Sequence, residues 1–119
     1  MKLPNAGNAV VDIEKLRDYC LNPHHEEGKH KARRFREKLG VTASDAERLR
    51  QVILDAILKM DATEQKPTEY GRRFTVDFEL SWPEGKFIMS KALVRTAWII
   101  RNDEDFPRLT TCFTPRRSA

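Results

Sequence analysis

The hydrophobic period of this chain changes once, at Tyr70, and that change limits the fold more than any single motif. Before it, apolar residues recur every three or four positions. Ile13, Leu16 and Cys20 form one such stripe, as on the buried side of a helix. Ala32, Phe35 and Leu39 fall on a second helical face, and Ala46, Leu49, Ile53, Ala56, Ile57 and Met60 on a third. After Tyr70 the pattern alternates: Phe74, Val76, Phe78 and Leu80 are interleaved with Arg73, Thr75, Asp77 and Glu79, the mark of a half-buried strand. Helices first and strands after predict an α+β fold, with three N-terminal helices packed on one face of a three- or four-stranded antiparallel sheet.

Turn-forming residues set the expected boundaries. Residues 1–11 hold Pro4, Gly7 and two asparagines and read as an irregular lead-in, with a short strand at Ala9 to Val11. Asp12 is the expected N-cap of the first helix, and Asn22-Pro23 ends it. The second helix is expected from Gly28 or Lys29 to Leu39, with Gly40 free to turn left-handed after it. Thr42 or Ser44 caps the third, from about Asp45 to Met60. Residues 61–69 are polar, contain Pro67 and read as a surface loop. Pro83-Glu84-Gly85 predicts a turn. The β-prone run from Lys86 to Arg101 is longer than an average strand, which predicts a bend near Ser90 or Lys91. Asn102 to Asp105 forms a turn, Leu109 to Phe113 the last strand, and residues 114–119 a flexible tail. Strand alternation puts Thr96, Trp98 and Ile100 on one face and Arg95, Ala97 and Ile99 on the other. In the last strand it sets Leu109, Thr111 and Phe113 against Thr110 and Cys112.

The length of 119 residues fits a single domain. The balance of 22 Lys+Arg against 18 Asp+Glu, net +4, admits a polyanionic partner without requiring one. Cys20 and Cys112 stand in no metal-ligand spacing and are expected reduced, part-buried and inert, a disulfide being the alternative. Met1 to Val11 lacks a charged start followed by an apolar run, so no secretory signal is expected. No stretch has the length of a membrane span. The expected location is cytoplasmic.

No glycine-rich phosphate loop, Ser-His-Asp pattern or zinc-ligand spacing is present, so neither a metal nor a cofactor is expected. His24-His25 reads as a solvated pair. The densest chemical feature runs from Lys29 to Lys38, with six Lys/Arg and one acid. Lys31, Arg34 and Lys38 share one helix side and could form a phosphate-binding ridge, with Lys31 fixed at the core boundary and Lys29 a further nucleic-acid-binding candidate. An ordinary solvated helix face is the alternative. His30 is the best general acid/base, because imidazole titrates near neutral pH. A second cluster joins Arg95 and Thr96 to Arg108 and Thr111. An arginine beside a hydroxyl on an open sheet face suits a phosphodiester under attack. The competing reading makes Trp98 core, the threonines strand formers and Arg95 and Arg108 surface charges.

Three signatures carry a resemblance. They are the opening MKLPNA with Tyr19-Cys20-Leu21-Asn22-Pro23-His24, the GKHKARRFREKLG run from Gly28 to Gly40, and the closing strands around Thr96–Arg101 and Pro107–Phe113. Together they resemble an uncharacterised family of small bacterial domains. More distantly, helices followed by an antiparallel sheet with a Thr-x-aromatic last strand resemble the barnase–EndoU–colicin–RelE group of ribonuclease toxins. That resemblance implies a metal-independent endoribonuclease, the toxin-like module of a toxin–antitoxin or effector system, acting on RNA and held by a small neutralising partner protein. It implies His30, Lys31, Arg95, Thr96 and Thr111 as the catalytic set. Here the last strand ends in Phe113 where that group often has tyrosine. The alternative is a non-catalytic module that binds nucleic acid or protein.

Overall fold

A computed structural model describes residues 1–83 and 90–116. The order of elements is α1 (Ile13–Lys15), a π-helical segment (Leu16–Cys20), α2 (Lys29–Leu39), α3 (Ala46–Ile57) and then β1 (Ala62–Thr68), β2 (Gly71–Trp82), β3 (Ser90–Arg101) and β4 (Arg108–Phe113). The strands form one antiparallel sheet in the order β1-β2-β3-β4. The fold is α+β, with the helices N-terminal to the strands.

The helical stripes bury as the periodicity predicts. Leu16 and Cys20, then Ala32, Phe35 and Leu39, then Ala46, Leu49, Ile53 and Ile57 all enter the core. Met60 lies beyond α3 and is exposed. Gly40 ends α2 at φ 73°, where its N–H donates to Arg36 O at 2.9 Å and Val41 N–H to Phe35 O at 3.3 Å. The last carbonyls of the helix are thereby satisfied. Thr42 leads into α3 through a short 3-10 turn, and its N–H donates to Asp45 Oδ2 at 2.9 Å in a capping box. Asp12 stands at the expected N-cap position, but its carboxylate makes no capping bond. The first helix is also not α throughout: Leu21 N–H reaches back five residues to Leu16 O at 2.8 Å. That wider turn is a common device where a helix must aim side chains at a site.

Phe74, Val76, Phe78 and Leu80 pair across the sheet with Trp98, Thr96, Val94 and Ala92, and all but Ala92 are buried on the helix side. Two expectations about strands are corrected. Residues 61–69 are not a loop: Ala62–Thr68 is strand β1, paired to β2. Its polar sequence fits an edge strand, and Pro67 falls in the register shift between Gln65 and Thr68, where no ladder N–H is needed. The face assignment in β4 also fails. Ala97 pairs with Thr111 and Trp98 with Leu109, so Thr110 is an extra, bulged residue. Leu109 and Cys112 therefore face the core, while Thr111 and Phe113 join the side of Arg95.

Val10 makes a parallel bridge to Arg108, with Leu109 N–H donating to Val10 O at 2.9 Å. The strand expected at Ala9 to Val11 is thus a single bridge on the β4 edge. The turn at Glu84-Gly85 and any bend ahead of Ser90 lie outside the described residues; from Ser90 the strand runs unbroken to Arg101. The tail is corrected in part. Thr114 is buried, and Arg34 donates through Nε to Thr114 O at 2.9 Å and through Nη2 to Pro115 O at 3.3 Å. Residues 117–119 lie outside the description. Among the described residues no helix is long and apolar enough to cross a membrane.

Candidate functional site

The edge of β4 is covered by the π-helical segment and α2, and their meeting point gathers unlike chemical groups. Gly28 makes the approach possible. A Cβ built there would lie 2.2 Å from the carbonyl oxygen of Tyr19, so only glycine lets α2 start this close to the π-helical segment. His25 shapes the same turn: its Nδ1 accepts from the N–H groups of Glu27 and Gly28 at 3.0 and 2.9 Å. Its ring meets Tyr19 edge-on at 4.9 Å. Gly28→Ala is expected to lose about 1–3 kcal/mol through overpacking, read as a lower urea midpoint with an unchanged slope. A midpoint equal to that of the wild-type protein would contradict this contact.

Lys31, one turn into α2, is half-buried among these groups. Its Nζ donates to Tyr19 Oη at 2.6 Å and to Thr111 Oγ1 at 3.0 Å. It also stands 4.7 Å from the centre of the Tyr19 ring and 5.7 Å from that of Phe113, within reach of cation–π attraction. An ammonium has three donors, so these two bonds leave one for a ligand. Behind Thr111 lies Cys20, its Sγ 3.7 Å from Thr111 Oγ1 and accepting Cys112 N–H at 3.4 Å. The hydrogen bond from the Cys112 thiol, helped by that N–H, Thr111 and the Lys31 charge, outweighs burial and draws the Cys20 thiol down to about 7. Cys112 is pushed well up, by sharing its proton with Cys20 and by burial. Both thiols are free, and both are fully buried rather than partly so. Their burial denies a substrate direct access to either sulfur.

In front of Lys31 a groove of about 380 Å³ opens between α2 and the end of β4, lined by His30, Lys31, Arg34, Arg95, Phe113, Thr114, Pro115 and Arg116. Among the described residues its lining holds four Lys/Arg side chains and one histidine and no acid. Among the described residues Arg95 is the one groove cation with an acid partner: its Nε and Nη2 donate to Asp77 at 2.8 and 2.9 Å. That fork raises the Arg95 pKa, mainly by the hydrogen bond to Asp77. Thr114 Oγ1 is buried without a hydrogen-bond partner among the described residues.

The structure therefore brings together His30, Lys31, Arg34, Arg95 and, through Lys31, Thr111. Other sequence candidates lie elsewhere. Thr96 is fully buried, donates to Val76 O at 2.8 Å and accepts Trp98 Nε1–H at 2.8 Å; its hydroxyl supports the core. Arg108 forks onto Glu104, with Nε and Nη2 each at 2.9 Å from a carboxylate oxygen, and does not line the groove. Lys29 lines a different groove on the other flank of α2, and Lys38 is exposed near the C-terminal end of the helix.

Sequence reasoning missed Tyr19, His25 and Arg116. Tyr19 stands three residues after Leu16 and beside Cys20, a position at the border of the buried stripe, and that spacing was the available signal. Nothing local marked Arg116, because Arg34 holds the backbone just ahead of it from far away in sequence. Among the described residues no group of three or more His, Cys, Asp or Glu is gathered to hold a metal ion.

No curated protein and no solved structure matches the chain. Residues 2–116 match the family described as a domain of unknown function, DUF6883, and the chain belongs to that family.

Proposed function

We propose that this DUF6883 chain is a metal-independent endoribonuclease, the toxin-like module of a toxin–antitoxin or effector system that acts on cytoplasmic RNA. The observation that carries the reading is the placement of Lys31, held by Tyr19 and Thr111 at the back of a basic groove that His30, Arg34 and Arg95 also line. RNA brings its own nucleophile, so the protein has little covalent work to do. The ribose 2′-oxygen attacks the neighbouring phosphorus while His30 accepts its proton. The bond from phosphorus to the 5′-oxygen breaks, and Lys31 supplies a proton to that leaving oxygen. The products are a 2′,3′-cyclic phosphate and a 5′-hydroxyl, and solvent restores both side chains. Arg34 and Arg95 face the extra negative charge that builds on the phosphate oxygens, where fixed donors have their largest effect. Phe113 offers an aromatic face on which a base can stack.

A second reading, a nucleic-acid-binding module without catalysis, has a specific observation in its favour. The Arg95 charge is already matched by Asp77, and part of the Arg34 guanidinium is spent on backbone carbonyls. Tightly controlled expression in a bacterial host separates the two. Cleavage requires that the wild-type protein stop growth and fragment cellular RNA while Lys31→Ala and Arg95→Ala do not. Equal growth of all three, with folded protein that binds RNA in a salt-dependent way and leaves it whole, would establish the binding module instead.

A further inference from the structure

We propose that the groove on the other flank of α2 docks an acidic, amphipathic segment of a protein partner. This groove is the larger of the two beside α2, about 560 Å³. Its floor is apolar: Pro23 is open to solvent and Ala43 partly so, above the buried Leu21, Ala32 and Val41. Its rim is cationic: Lys29, Arg33 and Arg36 are exposed and come from successive turns of α2. Among the described residues no aspartate or glutamate lines it.

The cations are poorly matched within the chain. Among the described residues only Arg33 has an acid partner, Glu37 at 3.6 Å, with both side chains more than half exposed. A pair of that kind is worth under about 1 kcal/mol, so it yields readily to a better one. The first turn of α2 carries no acid, and Gly28 offers no side-chain cap. Basic residues thus crowd the positive end of the helix dipole, where carboxylates are favoured. The arrangement weakens an isolated helix and strengthens it once an anionic partner arrives.

Two features choose the occupant. Carboxylates fit the rim, and leucine-like or aromatic anchors fit the floor, where each square ångström of apolar surface removed from water contributes about 25 cal/mol. A nucleic-acid backbone could use the rim, but among the described residues no Phe, Tyr or Trp lines this groove to stack its bases. The groove in front of Lys31 shares the positive charge but presents the Phe113 ring, against which a base can stack. His30 lines both grooves. An occupant of the apolar groove therefore touches the proton acceptor of the cleavage site, which is how a neutralising partner would act; that last step rests on the ribonuclease reading, whereas docking itself does not.

The test is selection of a random displayed-peptide library on the folded chain. Enriched peptides are expected to carry net negative charge and at least two large apolar residues. A synthesised winner should shift the methyl resonances of Leu21 and Val41. It should bind Arg33→Glu/Arg36→Glu at least about tenfold more weakly, and lose binding to Ala43→Trp, which fills the groove. Winners without acidic character, winners that bind both variants as tightly as the wild-type protein, or the absence of any enrichment would each overturn the proposal. So would a homopolymeric RNA that moves the Val41 methyl signals, since that assigns the groove to RNA. RNA cleavage by the uncomplexed protein is measured separately. Loss of the ribonuclease reading with retained acidic-peptide binding leaves the docking surface standing.

Discussion

Lys31→Ala is expected to lower the rate of RNA cleavage by about 10²- to 10⁴-fold while the protein keeps its helix and sheet content. The size of the loss follows from what the ammonium does. It is the one cation in the groove held by two side-chain hydroxyls, Tyr19 Oη and Thr111 Oγ1, so it meets a phosphate with little left to organise. Removing it deletes the proposed proton donor and a fixed positive charge together. The stability cost is smaller, because Tyr19 and Thr111 are left next to a groove that water can enter. Lys31→Arg keeps the charge and changes its shape. A planar fork cannot repeat the two bonds of a compact ammonium, so binding of RNA should persist while cleavage falls. Stopped or slow cleavage on a short single-stranded substrate, compared with binding to the same RNA made uncleavable by 2′-methylation, separates the two effects. A rate for Lys31→Ala within about threefold of the wild-type rate would remove Lys31 from the chemistry.

Trp98→Ala should cost about 3–5 kcal/mol and lower Tm by roughly 10–20 °C. Trp98 is 1% exposed and stands opposite Phe74 on the helix side of the sheet. Its loss leaves a large cavity that rigid neighbours fill poorly. It also strips the Thr96 hydroxyl of its donor, in a short relay that runs from Trp98 Nε1 through Thr96 Oγ1 to Val76 O. Thr96→Val isolates the polar share of that loss. It leaves the indole N–H buried without an acceptor, at a cost of about 1–3 kcal/mol. Circular dichroism during urea and thermal unfolding gives both numbers. A Trp98→Ala protein as stable as the wild-type protein would mean that the core packs otherwise.

Those two residues show where sequence is informative. Trp98 sits in an alternating strand, and alternation is a local property; so are the stripe of α3, the left-handed Gly40 and the run from Phe74 to Leu80. Each was legible from a local pattern, either the period of apolar residues that follows the buried face or a glycine just past a helical stripe. β1 was not legible. An edge strand buried at Ala62 alone needs few apolar residues, and its Pro67 is harmless only because the register shifts there, a fact about pairing rather than composition. The bulge at Thr110 was hidden for the same reason. A single unpaired residue turns Thr111 and Leu109 to opposite faces, and it carries no glycine to mark it.

The site divides along the same line. The basic run around Lys31 announced itself by charge density, and the structure sorts its members by face, with Lys31 and Arg34 on one groove and Lys29, Arg33 and Arg36 on the other. Tyr19 and Thr111 reach Lys31 across 12 and 80 residues of sequence, which no local pattern encodes. Thr96 and Arg108 carried the right functional groups, but the first was claimed by the core and the second by Glu104.

The most direct test of the central claim is the chemistry of the RNA ends. Purified, folded protein is incubated with a single-stranded RNA and, separately, the DNA of the same sequence, both with a strong metal chelator present. If the groove around Lys31 cleaves by way of the 2′-hydroxyl, RNA is cut to 2′,3′-cyclic phosphate and 5′-hydroxyl ends with the chelator present, and the DNA stays whole. Intact RNA, or cleavage of DNA alongside RNA with 5′-phosphate ends, would contradict it.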